Sequence, residues 1–342
     1  MKLRTHGVWA ILGLVALASG SHSQQPAIQA DQARPGHVLG GLDGPGFAIA
    51  YGENEGILIA ACQNGTLHYW MRPEIVGVRA GDVTPHVLGG HQGPVVALAW
   101  SGGAVLASAG TEGKILLRSV PDGNLRATLE GHRGFVRTLA MSPDGKLLAS
   151  AGDDHVVRIW DVSAGKLVDE LVGHANWVMA LTFSSDSQYL ASAGYDQSIR
   201  IWNLSGPDKI PVIPIKPASP ADQASYPLTL TFSPDNRTLA VGGTDGQIRL
   251  FSAKDGNPIR TMPGHASAVT GLVFHPSGNL LISASKDRTV RLWNPTNGQA
   301  IKTLEGHQAW IQGICLVNQA TMVASVGADQ SVRLWDLRPM PK

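Results

Sequence analysis

The chain has 342 residues, 43% of them hydrophobic, with 27 Lys and Arg against 26 Asp and Glu. Only 15% are charged, well under the usual share of about 25%, and the 40 glycines are nearly twice the usual share of about 7%. This balance excludes a coiled coil and a disordered chain, and the near-zero net charge removes the long-range attraction that nucleic acid would supply, so no nucleic-acid partner is expected.

The chain opens with Lys2 and Arg4, then an apolar run from Gly7 to Ala18, then small residues through Ser23. A positive flank, a short apolar run and a small-residue exit read as a secretory signal peptide over residues 1–23, with cleavage after Gly20 or after Ser23. The competing reading, an uncleaved anchor, needs about 20 apolar residues, and this run falls short. The mature protein is thus expected to be exported, without stable membrane insertion: periplasmic if bacterial, otherwise secreted. Residues 24–35 form a polar leader.

From residue 36 to 338 the chain repeats with a period near 42. Gly-His dipeptides end at His91, His132, His174, His265 and His307. Trp160, Trp202, Trp293 and Trp335 each follow the histidine of their repeat by 28 residues, and Asp154, Asp196, Asp287 and Asp329 follow it by 22. Four residues before each Asp stands a serine: Ser150, Ser192, Ser283 and Ser325. Within one unit, four short apolar or β-branched runs alternate with turn sequences such as SPDG and SAG, so each unit is a four-stranded antiparallel sheet.

Three copies are weaker. Repeat one shows Asn64 and Trp70. Repeat two keeps His91 and Ser108 but has Glu112 and Arg118 in place of Asp and Trp. Repeat five keeps Asp245 and has Phe251 in the Trp position. Repeats ending near 70, 118, 160, 202, 251, 293 and 335 make seven. The chain stops before the seventh could form its fourth strand, and GHVLGGLDG at 36–44 resembles PHVLGGHQG at 85–93. The segment His37–Leu39 is therefore expected to supply the missing strand, closing the ring and hiding its open edges.

Gly131-His132 with Trp160-Asp161, Gly173-His174 with Trp202-Asn203, Gly264-His265 with Trp293-Asn294 and Gly306-His307 with Trp335-Asp336 together resemble the WD-repeat β-propeller family. The resemblance covers about residues 36–338. It implies an all-β fold: a single seven-bladed propeller of four-stranded antiparallel blades around a central channel. It also implies that Trp, Ser, His and Asp form a hydrogen-bonded chain within a blade. Recurrence of the set in four blades argues against Ser-His-Asp catalysis, which needs one constellation placed once. No enzymatic activity is expected. Repeats one, two and five, which lack the full set, should be the softer blades.

Six prolines in 203–227 favour extended chain and oppose regular pairing, which marks an inter-blade loop: a tolerated surface insertion or a stiff docking element. No haem-attachment, HExxH or phosphate-loop motif is present, so neither cofactor nor metal is expected. Cys62 and Cys315 should sit at opposite heights of neighbouring blades as free buried thiols.

In the family, partners use the face of the Gly-His loops. The contact positions are the third residue after Gly-His, the residue two beyond it, and the residue before the Asp. Carried over, these are Phe135, Arg137 and Asp153 in blade three, then Trp177, Met179 and Tyr195 in blade four. Blade five gives Tyr226, blade seven gives Trp310, Gln312 and Ala328, and blade one gives Phe47. Blade six, with Ala268, Thr270 and Lys286, and blade two, with Pro94, Val96 and Thr111, look weaker. Trp, Tyr and Arg dominate interface hot spots, though such rings also serve simply to cover blade junctions. The leading expectation is a non-enzymatic scaffold outside the cytoplasm that binds a protein or peptide on this face, with an envelope or exported redox assembly as its setting. The alternative is a ligand-binding or enzymatic propeller using the channel, whose inner strands carry one Arg and no acid.

Overall fold

The computed structural model describes residues 37–39, 41–72, 75, 84–101, 103–206, 212–214 and 225–338. The signal peptide and polar leader expected over residues 1–23 and 24–35 lie outside the described residues. No helix among the described residues is long and apolar enough to cross a membrane.

Each repeat is a meander. In blade three, Val136–Met141, Leu147–Gly152, Val156–Asp161 and Lys166–Val172 pair antiparallel in chain order. Side chains alternate between the faces of a strand, and here both faces are apolar. On the inner strand Gly46–Gly52 of blade one, Ala48 and Ala50 pack toward blade two while Ile49 and Tyr51 pack toward blade seven. One small sheet cannot cover both of its faces, so each blade is buried between its neighbours. The inner strands touch in ring order, and that of blade seven returns to that of blade one. Seven four-stranded sheets result.

Closure follows the expected route. The last sheet contains Ile311–Val317, Met322–Gly327 and Val332–Asp336, and its fourth strand is His37–Leu39. His37 stands opposite Leu334, and Leu39 opposite Val332. The Pro-rich stretch departs from expectation. It is not wholly an unpaired loop, because Val212–Pro214 is the outer strand of blade four, with Ile213 opposite Ile199. An outer strand has one free edge, and a proline at its end removes no bond from the ladder.

A buried polar chain runs through four blades. In blade four, the Trp202 indole N–H donates to Ser192 Oγ at 2.9 Å, the Ser192 hydroxyl meets His174 Nε2 at 2.7 Å, and His174 Nδ1 meets Asp196 at 2.8 Å. The Ala175 amide donates to the same carboxylate at 2.9 Å. Because a carboxylate only accepts, Nδ1 carries the proton, Nε2 accepts from serine, and serine accepts from the indole. The set recurs as His132, Ser150, Asp154 and Trp160, as His265, Ser283, Asp287 and Trp293, and as His307, Ser325, Asp329 and Trp335. The glycine before each histidine lies over the indole edge: a Cβ at Gly264 would sit 2.8 Å from Trp293 Cη2.

The three divergent blades solve the same problem differently. Blade two is less altered than its sequence suggests. Glu112 replaces the Asp and reaches His91 Nδ1 at 2.5 Å, His91 Nε2 keeps Ser108 at 2.8 Å, and Arg118 spans to the carbonyls of Gly89 and Gly123. Blade five exchanges the polar pair for an apolar one. Val241 stands in the serine position and Phe251 needs no acceptor, while Asp245 pairs with Arg249 at 2.6 Å. In blade one, Leu42 and Ala60 occupy the histidine and serine positions, and the buried Trp70 indole N–H has no partner among the described residues. An orphaned buried donor costs about 1–3 kcal/mol. Blades one and five therefore lack the clamp, whereas blade two keeps its histidine links but leaves the Arg118 Nε without a partner among the described residues.

Removing the central imidazole should leave the Ser192 hydroxyl proton without its acceptor and take one donor from Asp196. His174→Ala is expected to cost about 2 kcal/mol and to lower the thermal midpoint by a few degrees, measured by calorimetry or circular dichroism.

Acid should erode stability in two steps. Burial pushes the pKa of His91 and His265 down, against the opposing pull of Glu112 and Asp287. The unfolded chain then takes up these protons first, and stability falls below about pH 6.5. Burial also acts to raise the carboxyls of Asp154, Asp196, Asp287 and Asp329, but the histidine and backbone amide bonds overcome it and hold all four well below the usual range. Their contribution is full above about pH 4 and is lost as pH falls through their folded values. A midpoint-against-pH curve should show both steps, and Asp196→Asn should flatten the lower one.

Candidate interaction face

The Gly-His loops and the turns before the clamping carboxylates share one rim. Every inner strand begins with a β-bulge, seen as a register shift at Phe47, Val96, Arg137, Met179, Leu228, Thr270 and Gln312. A bulge re-aims its side chain. The residue before each bulged pair accepts a backbone bond from the residue that precedes the acidic position. Asp153 N donates to Phe135 O at 3.0 Å, Tyr195 N to Trp177 O at 2.8 Å, Lys286 N to Ala268 O at 2.9 Å, and Ala328 N to Trp310 O at 2.8 Å. In blade three this close approach needs glycine on the facing strand, since a Cβ at Gly152 would lie 1.8 Å from Phe135 O, whereas blade six makes the same bond with Ser285 there. The first and third positions assigned to each of these blades are therefore joined by a backbone hydrogen bond.

Blades three to five carry a continuous aromatic ladder. The Arg137 guanidinium lies 5.7 Å from the Phe135 ring centroid and 4.3 Å from that of Trp177, and its Nε donates to the Asp153 carboxylate. Trp177 then meets Tyr195 at 5.6 Å, and Tyr195 meets Tyr226 at 4.9 Å. Such contacts are worth about 0.5–1.5 kcal/mol each and hold the rings in place before any partner arrives. Phe135 is 41% exposed, and Trp177, Tyr195, Tyr226 and Asp153 are half-buried.

Three expected surface residues are not on the surface, and the first is Arg137, only 9% exposed against the Phe135 and Trp177 rings. Met179 is fully buried, packed with Leu228 and Ala268 beneath Trp177 and Tyr195. Gln312 is 3% exposed, and its Oε1 has no partner among the described residues. All three are bulged residues, and each side chain is buried. Phe47 is bulged and buried as well.

Blade six contributes more than its sequence suggests. Ala268 joins the apolar patch under the ladder, and its carbonyl holds the Lys286 backbone. The Lys286 ammonium lies 4.8 Å from the ring centroid of Trp310, which is 50% exposed. The Thr270 hydroxyl donates to the Ile311 carbonyl at 2.7 Å and fixes blade six to the chain next to Trp310. The ladder of blades three to five and the Lys286–Trp310 pair of blades six and seven are thus linked through the apolar cluster that holds Ala268. Sequence reasoning also missed a fifth member of the clamps: Ser198, Thr289 and Ser331 each donate a hydroxyl hydrogen bond to their blade's aspartate at 2.7–2.8 Å. Its signal is a hydroxyl residue two positions after the Asp.

Cys62 and Cys315 are buried and free, and burial pushes the Cys62 thiol up to about 12, so neither is poised to react. Among the described residues, no three His, Cys, Asp or Glu come together as a metal-holding group.

A search of curated proteins returns no match. A family model, the WD domain, G-beta repeat, matches residues 123–161, 165–203, 223–252, 256–294 and 298–336, just over half of the chain. These five segments carry the third strands of blades three to seven, including blade five with its altered clamp. With seven such blades in one ring, the chain belongs to the WD-repeat β-propeller family.

Proposed function

We propose that the protein is a non-enzymatic interaction scaffold that holds a protein or peptide partner across blades three to seven on the Gly-His rim. One observation carries this reading: a preorganised band of Phe135, Arg137, Trp177, Tyr195, Tyr226, Lys286 and Trp310, in which the rings are held by one another rather than by the core alone. Large rings fixed in place lose little entropy on binding, which is the character of an interface hot spot. Four of the seven bulged residues at the head of the inner strands, Phe47, Val96, Met179 and Leu228, are apolar and buried, and so offer a polar channel ligand nothing to bind. Action outside the cytoplasm is part of the proposal and is supported by the basic flank, short apolar run and small-residue exit of residues 1–23.

The test is a crosslinking capture from the exported fraction, comparing wild type with a Trp177→Ala, Trp310→Ala double variant of unchanged thermal midpoint. A defined partner taken by wild type and lost by the variant is the expected result. The same partner retained by both would place binding elsewhere and overturn the proposal.

A further inference from the structure

The interaction band contains two cations, and they are not equivalent. Arg137 already has the Asp153 carboxylate and lies between two rings. Lys286 is half-buried against Trp310, and no carboxylate of the described residues pairs with it. Burial lowers its pKa, and no neighbouring anion opposes that shift. An ammonium taken partly out of water without a counter-charge is a standing cost that an incoming anion would relieve.

We propose that the corner between blades six and seven is a carboxylate site, in which Lys286 and Trp310 take an aspartate or glutamate side chain of the partner. This rests on the interaction-face reading above. The partner is then an acidic peptide segment whose neighbouring apolar side chains lie on the ladder of blades three to five. Geometry supports the continuity. Ala268 belongs to the apolar cluster against which Trp177 and Tyr195 pack, and its carbonyl holds the Lys286 backbone, so one cluster links the ladder to the corner. The Trp310 indole covers the ammonium on one side and leaves half of its own surface for the ligand. A phosphorylated segment fits less well, because phosphate recognition gathers several guanidinium or ammonium groups and this band has one cation without a carboxylate.

The probe is an array of acetylated, amidated octapeptides made in pairs. Members of a pair differ only in one Glu replaced by Gln, with Phe, Leu or Tyr at two flanking positions. The purified protein is compared with Lys286→Met, Lys286→Arg and Trp177→Ala, each checked for an unchanged thermal midpoint. Wild type should favour the Glu member by about tenfold, the size of one charge-assisted hydrogen bond. Lys286→Met should bring that ratio to about one, and Lys286→Arg should keep it. Raising salt should weaken the wild type toward the Lys286→Met level. A ratio near one in wild type, or a ratio untouched by Lys286→Met, overturns the carboxylate site while leaving the interaction face standing. If no peptide binding is weakened by Trp177→Ala, the face itself fails, and the carboxylate site fails with it.

Discussion

A buried imidazole with a partner at each ring nitrogen is the centre of the clamp. In blades three, four, six and seven, serine meets Nε2 and aspartate meets Nδ1, and each partner brings a further element with it. The serine lies on the second strand and receives the indole of the third. The aspartate lies in the next turn and receives the backbone amide of the residue after the histidine. One side chain thereby ties two strands, a turn and the loop entering the blade. Stacking of apolar faces makes the ring, but this bond pattern sets the height and shape of its rim.

The proposed interaction face builds on that fixed shape. The loop held by each aspartate leads, within three residues, to Phe135, Trp177 or Trp310. Because the clamp is the same in four blades, it carries no information about a partner. What differs between blades lies one to three residues away: a ring in blades three, four and seven, Tyr226 in blade five, and a lysine in blade six. Repeated residues build the platform and single residues give it a direction, from the paired Arg137 end to the unpaired Lys286 end.

Most of the architecture was legible in the sequence because a four-point register repeats, and because the same HVLGG string occurs at the closing strand and at the outer strand of blade one. The outer strand Val212–Pro214 was not, since proline is compatible with an edge that composition alone cannot distinguish from a loop. Blade two read as weak because Glu112 is not Asp, yet one more methylene still reaches His91. Arg137, Met179 and Gln312 were expected at the surface, and at the bulge all three side chains are buried. The Lys286–Trp310 contact joins residues of different blades, so no spacing within one repeat announces it.

Hydrogen exchange resolved blade by blade by mass spectrometry tests most directly whether the imidazole clamp governs this ring. The second strands of blades three, four, six and seven, and of blade two through Glu112, should exchange only with global unfolding. Those of blades one and five, Ile57–Cys62 and Thr238–Gly243, should exchange at least about tenfold faster through local opening. Equal protection around the ring would show that face-to-face stacking alone sets blade stability and would contradict the account.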